Sequence, residues 1–167
     1  LLSNYIEKEV NNQNIWSFSQ SVEKGYEEGI INEKLLKFVQ THSRKLNHAI
    51  SLDRNNLFHY FGLRTVYDRY LLKHPTSRQV LETPQYFLMR VACAVCDDIR
   101  DALELYELFS SLEYLTSSPT LFNAGTNHQQ LSSCFLLDSP EDNLATIYSR
   151  YADIAQLSKF SGGIGLA

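Results

Sequence analysis

The chain has 167 residues, 44% of them hydrophobic and 20% charged, with a formal net charge of −4. That is enough for one sizeable core in an ordinary globular composition. The acidic balance argues against a broad face for nucleic acid or a membrane surface, while leaving room for a local basic pocket. No apolar run reaches membrane-spanning length, and LLSNYIEKEV at the amino terminus lacks the basic segment and apolar core of a secretory leader. Three cysteines, an odd number without framework spacing, point to a reducing, cytoplasmic setting.

In chain order, helices dominate. Asn32 to Ile50 places Leu35, Phe38, Val39, Leu46 and Ile50 roughly on one face, with Asn32 as N-cap and Glu33 in the first turn. Asp53 to Asn56 reads as a turn, and Tyr60 to Leu72 as a short aromatic-rich helix. His74 to Ser77 breaks the chain around Pro75. ETPQYFLMRVACAVC then starts a strong helix, with Thr83 as N-cap and Pro84 at the first helical position. The following helix carries Ala102, Leu105, Tyr106, Phe109 and Leu112 at three- and four-residue spacing, and the two are expected to pack as an antiparallel pair across the CDD joint.

Near Thr116 the texture changes. Thr116 to Gln130 reads as a polar loop, Leu131 to Leu137 as a short buried strand, and Asp138 to Asp142 as a turn with helix-starting chemistry. NLATIYSRYADIAQLSKF is an amphipathic helix with Leu144, Ile147, Tyr148, Tyr151 and Ile154 along one stripe. SGGIGLA ends that helix and begins a second strand. Strand, helix and strand at this spacing open an α/β unit. There is no internal repeat.

Four features could carry chemistry. Cys93 and Cys96 form a C-x-x-C, a spacing used by redox and zinc sites. They lie on an apolar helix with no second pair and no nearby histidine, so packing cysteines are the favoured reading. His42, His48, His59, His74 and His128 are scattered without ligand spacing and read as surface or capping groups. SGGIG (Ser161 to Gly165) lacks both the G-x-G-x-x-G pattern and a P-loop lysine, so pattern alone favours a helix C-cap with close backbone packing. In SSC, strand alternation turns Ser132 and Cys134 one way and Ser133 the other. On pattern alone, a sheltered cysteine beside tolerated serines leads, because the nucleophile elbow and partner histidine of a hydrolase are missing.

Taken together, SSPTLFNAGTNHQQLSSCFLL and PEDNLATIYSRYADIAQLSKFSGGIG closely resemble the large, catalytic subunit of ribonucleotide reductase, the eukaryotic-type class I enzymes most nearly. YFGLRTVYDRYLL and TPQYFLMRVACAV resemble its amino-terminal helical part. The likeness is clear from about Phe58 onward. It implies a mainly α chain: a helical amino-terminal domain over 1–115, running into the first strand and helix of a ten-stranded α/β barrel over 116–167.

The resemblance also implies roles. Cys134 matches one of two cysteines that reduce the ribose 2′ carbon and close into a disulfide, after a radical on a third cysteine has abstracted the 3′ hydrogen. A thiol acts as a two-electron reductant only when a second can close on it. Ser118, Ser133 and Gly163 match substrate-contacting positions. Asp142, Asn143, Leu144 and Lys159 match the site of a nucleoside triphosphate effector that sets specificity, at a homodimer interface formed in part by the helix Asn143 to Lys159. No metal or other cofactor is expected on this chain. The radical would come from a metal-containing small subunit, and thioredoxin or glutaredoxin would be the reductant. The family's radical cysteine, second reducing cysteine and shuttle cysteines are not matched here, so the isolated chain is expected to be an inactive amino-terminal fragment. No ATP cone is recognisable in Leu1 to Ile31. The rival reading is a helical interaction module that kept the fold without the catalysis.

Overall fold

Every residue of one helix from Pro84 to Cys93 is buried, and the helical part of the chain is arranged around it. A helix that is apolar nearly all round belongs at the centre of a core, and PQYFLMRVACAV has that character. In the computed structural model, which describes residues 1–159 and 162–167, it is the fifth α-helix. The helices before it are α1 (Leu2–Asn11), α2 (Phe18–Glu27), α3 (Glu33–Ala49) and α4 (Tyr60–Thr65); α5 spans Pro84–Val95 and α6 Ile99–Ser110. Thr83 caps α5 by accepting from the Tyr86 amide, with Pro84 in the first turn, where a missing N–H leaves nothing unsatisfied. Ile6 and Val10 of α1, Phe18 and Val22 of α2, Leu35, Val39 and Leu46 of α3, and Ala102, Tyr106 and Phe109 of α6 complete the core. α5 and α6 pack on each other, as their apolar spacing implied.

Asn32 caps α3 as expected, its side chain accepting from the Leu35 amide at 2.9 Å. It also has a tertiary role that no local pattern announces. Its amide N–H donates to the Gly125 carbonyl, and its Nδ2 donates to the Thr126 carbonyl at 3.0 Å. The Asn127 amide in turn donates to the Ile30 carbonyl. The segment leading towards the carboxyl-terminal part is thus tied to the joint between α2 and α3. Gly125 is required there: its φ is +79°, and a Cβ would lie 2.3 Å from Leu35 Cδ2, closer than real Cβ contacts allow.

Several local expectations need correction. Asp53 to Asn56 lies within a 3-10 helix, Leu52–Leu57, not a simple turn. Asn55 is buried there against Glu7, and Arg54 pairs with Glu107, so tertiary partners wind the segment tighter. Tyr60 to Leu72 divides into α4 and a π-helical turn, Val66–Tyr70. The expected loop Thr116 to Gln130 contains α7, Ser118–Asn123, with Pro119 in its first turn. The carbonyls of Leu121 and Ala124 accept from Arg90 on α5, a support no local pattern can show.

The expected buried strand from Leu131 is shorter and more exposed. β1 is Cys134–Leu137. The carbonyls of Gln130, Leu131 and Ser132 accept from the side chains of Asn123, Thr120 and Gln130, so side chains rather than a second strand hold this stretch. β1 pairs in parallel with β2, Gly163–Leu166, in the register Cys134 to Gly163 and Leu137 to Leu166. α8, Leu144–Lys159, joins them and buries none of its residues. Along its stripe Leu144, Tyr148 and Tyr151 are 73%, 68% and 59% exposed, which leaves that edge as an outer face, with Ile147 and Ile154 half-buried. The expected helix end at SGGIG lies partly outside the described residues, whereas the strand after it is present. No helix among the described residues is long and apolar enough to cross a membrane.

Candidate functional site

Cys134 begins β1 with an exposed, free thiol. Its register partner is Gly163. A Cβ on Gly163 would stand 3.3 Å from the thiol sulfur and 3.1 Å from the Ser133 carbonyl oxygen. The space beside the sulfur therefore depends on that position having no side chain. Strand alternation should turn Ser133 and Cys134 to opposite faces, but Ser133 precedes the strand, in a bend. It joins the site through its backbone: its carbonyl accepts from the Gly163 amide at 2.7 Å. Ser133, Cys134 and Gly163 are thus one local constellation of a thiol, a carbonyl and an open backbone.

Ser118 is the first residue of α7. Two residues on, Thr120 Oγ1 donates to the Leu131 carbonyl at 3.1 Å, and Asn123 Nδ2 donates to the Gln130 carbonyl at 2.8 Å. These bonds lash α7 to the approach to β1 and so couple Ser118 to the thiol-bearing strand. Ser118 Oγ lies 2.8 Å from the Tyr70 hydroxyl. Behind α7, Arg90 is buried and pairs with Glu82 through Nε–Oε2 at 2.9 Å and Nη2–Oε1 at 3.0 Å. Nη1 continues to the Ala124 carbonyl at 2.6 Å.

Neither Tyr70 nor the Arg90–Glu82 pair stands out in the sequence as a site residue. A signal exists for the second. One arginine in the apolar run FLMRVACAV, eight residues after a glutamate, must find a partner if the helix is central.

Asp142, Asn143 and Leu144 meet at the start of α8. Asn143 Oδ1 accepts from the Thr146 amide at 3.0 Å, leaving exposed Asp142 and Leu144 at the helix mouth. Lys159 ends the same helix, about 22 Å away at 1.5 Å per residue. One copy of α8 therefore does not bring Lys159 to the other three. A polar cleft of about 330 Å³, lined by Glu141, Thr146, Arg150 and Asp153 among others, runs along the first half of the helix.

The remaining candidates separate cleanly. Cys93 is buried and free, and burial pushes its thiol well above the usual range; Cys96, half-buried, is raised for the same main reason. Both are packing cysteines, and the described residues hold no cluster of three or more groups able to ligate a metal. His74 caps its turn, Nδ1 accepting from the Thr76 and Ser77 amides at 3.2 Å, while Nε2 faces Glu28 at 3.1 Å. An apolar hollow of about 530 Å³ lies between α4, the π turn and α5, and none of Ser118, Ser133 and Cys134 lines it. A large apolar cavity without convergent polar groups is weak as a site for chemistry.

Two family models match consecutive stretches of the chain, the first running on through the segment after Thr116. One described as ribonucleotide reductase, all-alpha domain, matches residues 56–129, and one described as ribonucleotide reductase, barrel domain, matches residues 132–167. The chain is similar to the ribonucleoside-diphosphate reductase large chain of Cryptosporidium parvum, with 40% identity over 139 residues. It is also similar to the large subunits of Danio rerio, at 43%, and vaccinia virus strain Copenhagen, at 42%, each again over 139 residues. Each match takes in 83% of this chain but only 17% or 18% of the relative, so the chain spans less than a fifth of the length of these proteins. With the helical part, the first strand–helix–strand unit and both matches in agreement, the chain belongs to the ribonucleotide reductase large-subunit family.

Proposed function

We propose that this chain is the amino-terminal helical domain (1–115) and the opening of the barrel (116–167) of a ribonucleoside-diphosphate reductase large subunit, acting in the cytoplasm. The observation that carries this reading is the constellation at β1. An exposed cysteine starts a strand, faces a glycine that leaves its sulfur accessible, and follows a segment bonded to the helix that carries Ser118. Cys134 is one of the two thiols that reduce the ribose 2′ carbon. The pair gives up two electrons and two protons, the 2′ hydroxyl leaves as water, and the thiols close into a disulfide. Ser118 and Ser133 hold the nucleotide, the second through its backbone, and Gly163 lets the ribose approach. The initiating radical is supplied by a metal-containing small subunit, and thioredoxin or glutaredoxin restores the dithiol.

The effector reading gains a geometric condition. Asp142 and Lys159 stand at opposite ends of α8, so a nucleoside triphosphate touching both needs two copies of that helix running antiparallel. The exposed Leu144, Tyr148 and Tyr151 edge is the surface such a homodimer would cover. Cys93 and Cys96 sit on the helical domain and do not complete the thiol pair, so the 167-residue chain alone is inactive. The test is Cys134→Ser in the complete large subunit, assayed with its small subunit. Turnover is lost while effector binding is kept. Sustained multiple turnover by that variant refutes the assignment, and so does ribonucleoside-diphosphate reduction by the 167-residue chain alone.

A further inference from the structure

The π-helical turn Val66–Tyr70 is followed by a Leu71 amide that donates to the Val66 carbonyl. A π turn inserts one residue into the helical count, rotating the next residues by about 100° from where an α-helix would put them. Here the residue delivered by that turn is Tyr70. Its ring stacks on Phe122 of α7, with centroids 4.6 Å apart and planes at 15°, and lies 6.0 Å from Phe87 of α5. The ring is held between two helices, and its hydroxyl reaches Ser118 Oγ at 2.8 Å.

A serine hydroxyl has one proton to donate. If Ser118 gives it to Tyr70, the serine offers a phosphate only lone pairs, which a phosphate oxygen repels. If Tyr70 donates to Ser118, the serine proton is left for an anionic oxygen, and a hydrogen bond to a charged acceptor is the stronger kind. We propose that Tyr70 is a positioning residue for Ser118: its hydroxyl donates to Ser118 Oγ, and the serine proton is thereby presented to an anionic oxygen of the ribonucleoside diphosphate. The proposal rests on the reading that Ser118 touches the substrate. It adds a residue from the helical domain to the site and a direction to the hydrogen bond.

The test is a double-mutant cycle in the complete large subunit with its small subunit, reading kcat and KM for a ribonucleoside diphosphate. Tyr70→Phe keeps the ring stack and removes only the hydroxyl. The expected result is a KM raised roughly three- to tenfold by Tyr70→Phe, with a smaller change in kcat, and a larger rise with Ser118→Ala. In the Ser118→Ala background, Tyr70→Phe adds nothing further, because the hydroxyl acts only through the serine. A merely structural tyrosine would give additive effects. If Ser118→Ala raises KM while Tyr70→Phe leaves it unchanged, or the two effects add, the role of Tyr70 is overturned and Ser118 keeps its own. If Ser118→Ala leaves KM unchanged, the substrate reading of Ser118 and the proposal fall together.

Discussion

Replacing Arg90 by methionine would test whether the site-bearing helix α7 is held from behind. The side chain is 1% exposed and its partner Glu82 is 3% exposed. The substitution keeps an unbranched chain of similar volume but shorter reach in the core and removes four hydrogen bonds: two to Glu82, one to the Ala124 carbonyl and one to the Leu121 carbonyl. The Leu72 amide, which donates to Glu82 Oε1 at 2.8 Å, would then be the remaining bonded donor to that carboxylate. Stranding one member of a buried ion pair costs about 3–5 kcal/mol, and two carbonyls without donors add to that unless water enters. Set against a total stability on the order of 5–15 kcal/mol, this is a large fraction. With a urea m-value of about 2 kcal/mol/M, a loss of 3 kcal/mol lowers the midpoint by about 1.5 M. The assay is urea unfolding of the 167-residue chain followed by far-ultraviolet circular dichroism. The companion is Glu82→Leu with Arg90→Met, which removes the stranded charge and should recover part of the loss. A midpoint shift below about 0.5 M for the single variant, or a double variant less stable than the single, would refute the reasoning.

Two further predictions address the helical part. Gly125→Ala should destabilise the chain by about 2 kcal/mol or more, combining a left-handed backbone with a clash on Leu35. Gly29→Ala, where φ is +71° and nothing lies within 4 Å of a Cβ, should cost only about 1 kcal/mol; equal losses in urea unfolding would show that the clash at Gly125 is not felt. The second concerns pH. The Cys93 thiol is neutral in the fold, its ionisation pushed upward by burial from a usual value of 9.0. The unfolded chain therefore binds fewer protons once pH passes about 9, and stability that is complete below that value falls above it, by up to about 1.4 kcal/mol per pH unit for one thiol. Cys93→Ala should flatten the urea midpoint between about pH 9 and 10; an unchanged slope would place the alkaline sensitivity elsewhere.

How much of the structure is legible in the sequence depends on how local its causes are. The Asn32 and Thr83 caps and the apolar face of α3 are written in residues three or four apart, and all are found. The missed elements have distant causes. α7 reads as a loop because Pro119, Asn123 and Gly125 are turn residues, while the donors that satisfy its carbonyls come from Arg90, some thirty positions earlier. The strand at SSCFLL reads as three residues too long, and the side chains of Asn123, Thr120 and Gln130 rather than a second strand hold the stretch before Cys134. The π turn that delivers Tyr70 has no periodicity of its own in so short a run. Among the site residues, the neighbourhood of Ser133, Cys134 and Gly163 comes from a strand–helix–strand pattern. The separation of Asp142 from Lys159 comes from the length of one helix. The contact between Tyr70 and Ser118 crosses 48 residues and needed the fold.

The glycines of SGGIG take on a different meaning once their partners are known. As a pattern they suggest a helix cap or, more weakly, a cradle for phosphate. In the structure each described one answers a side chain of β1. A Cβ on Gly162 would lie 2.8 Å from the Phe135 ring, one on Gly163 3.3 Å from the Cys134 sulfur, and one on Gly165 3.2 Å from Leu136 Cδ1. The first is a contact real Cβ atoms do not make, so Gly162 is fixed by packing. The other two are tight but pliable, and a neighbour could yield by a few tenths of an ångström. At Leu136 the yielding atom is a methyl at the end of a flexible, 81% exposed side chain, and little would be lost. At Cys134 it is the sulfur itself, and the Ser133 carbonyl, 3.1 Å from the same Cβ and already bonded to the Gly163 amide at 2.7 Å, adds a second tight contact. The same small steric strain is therefore harmless at one glycine and falls on the proposed reductant at the other, which is why Gly163 is the position where a packing argument and a chemical one coincide.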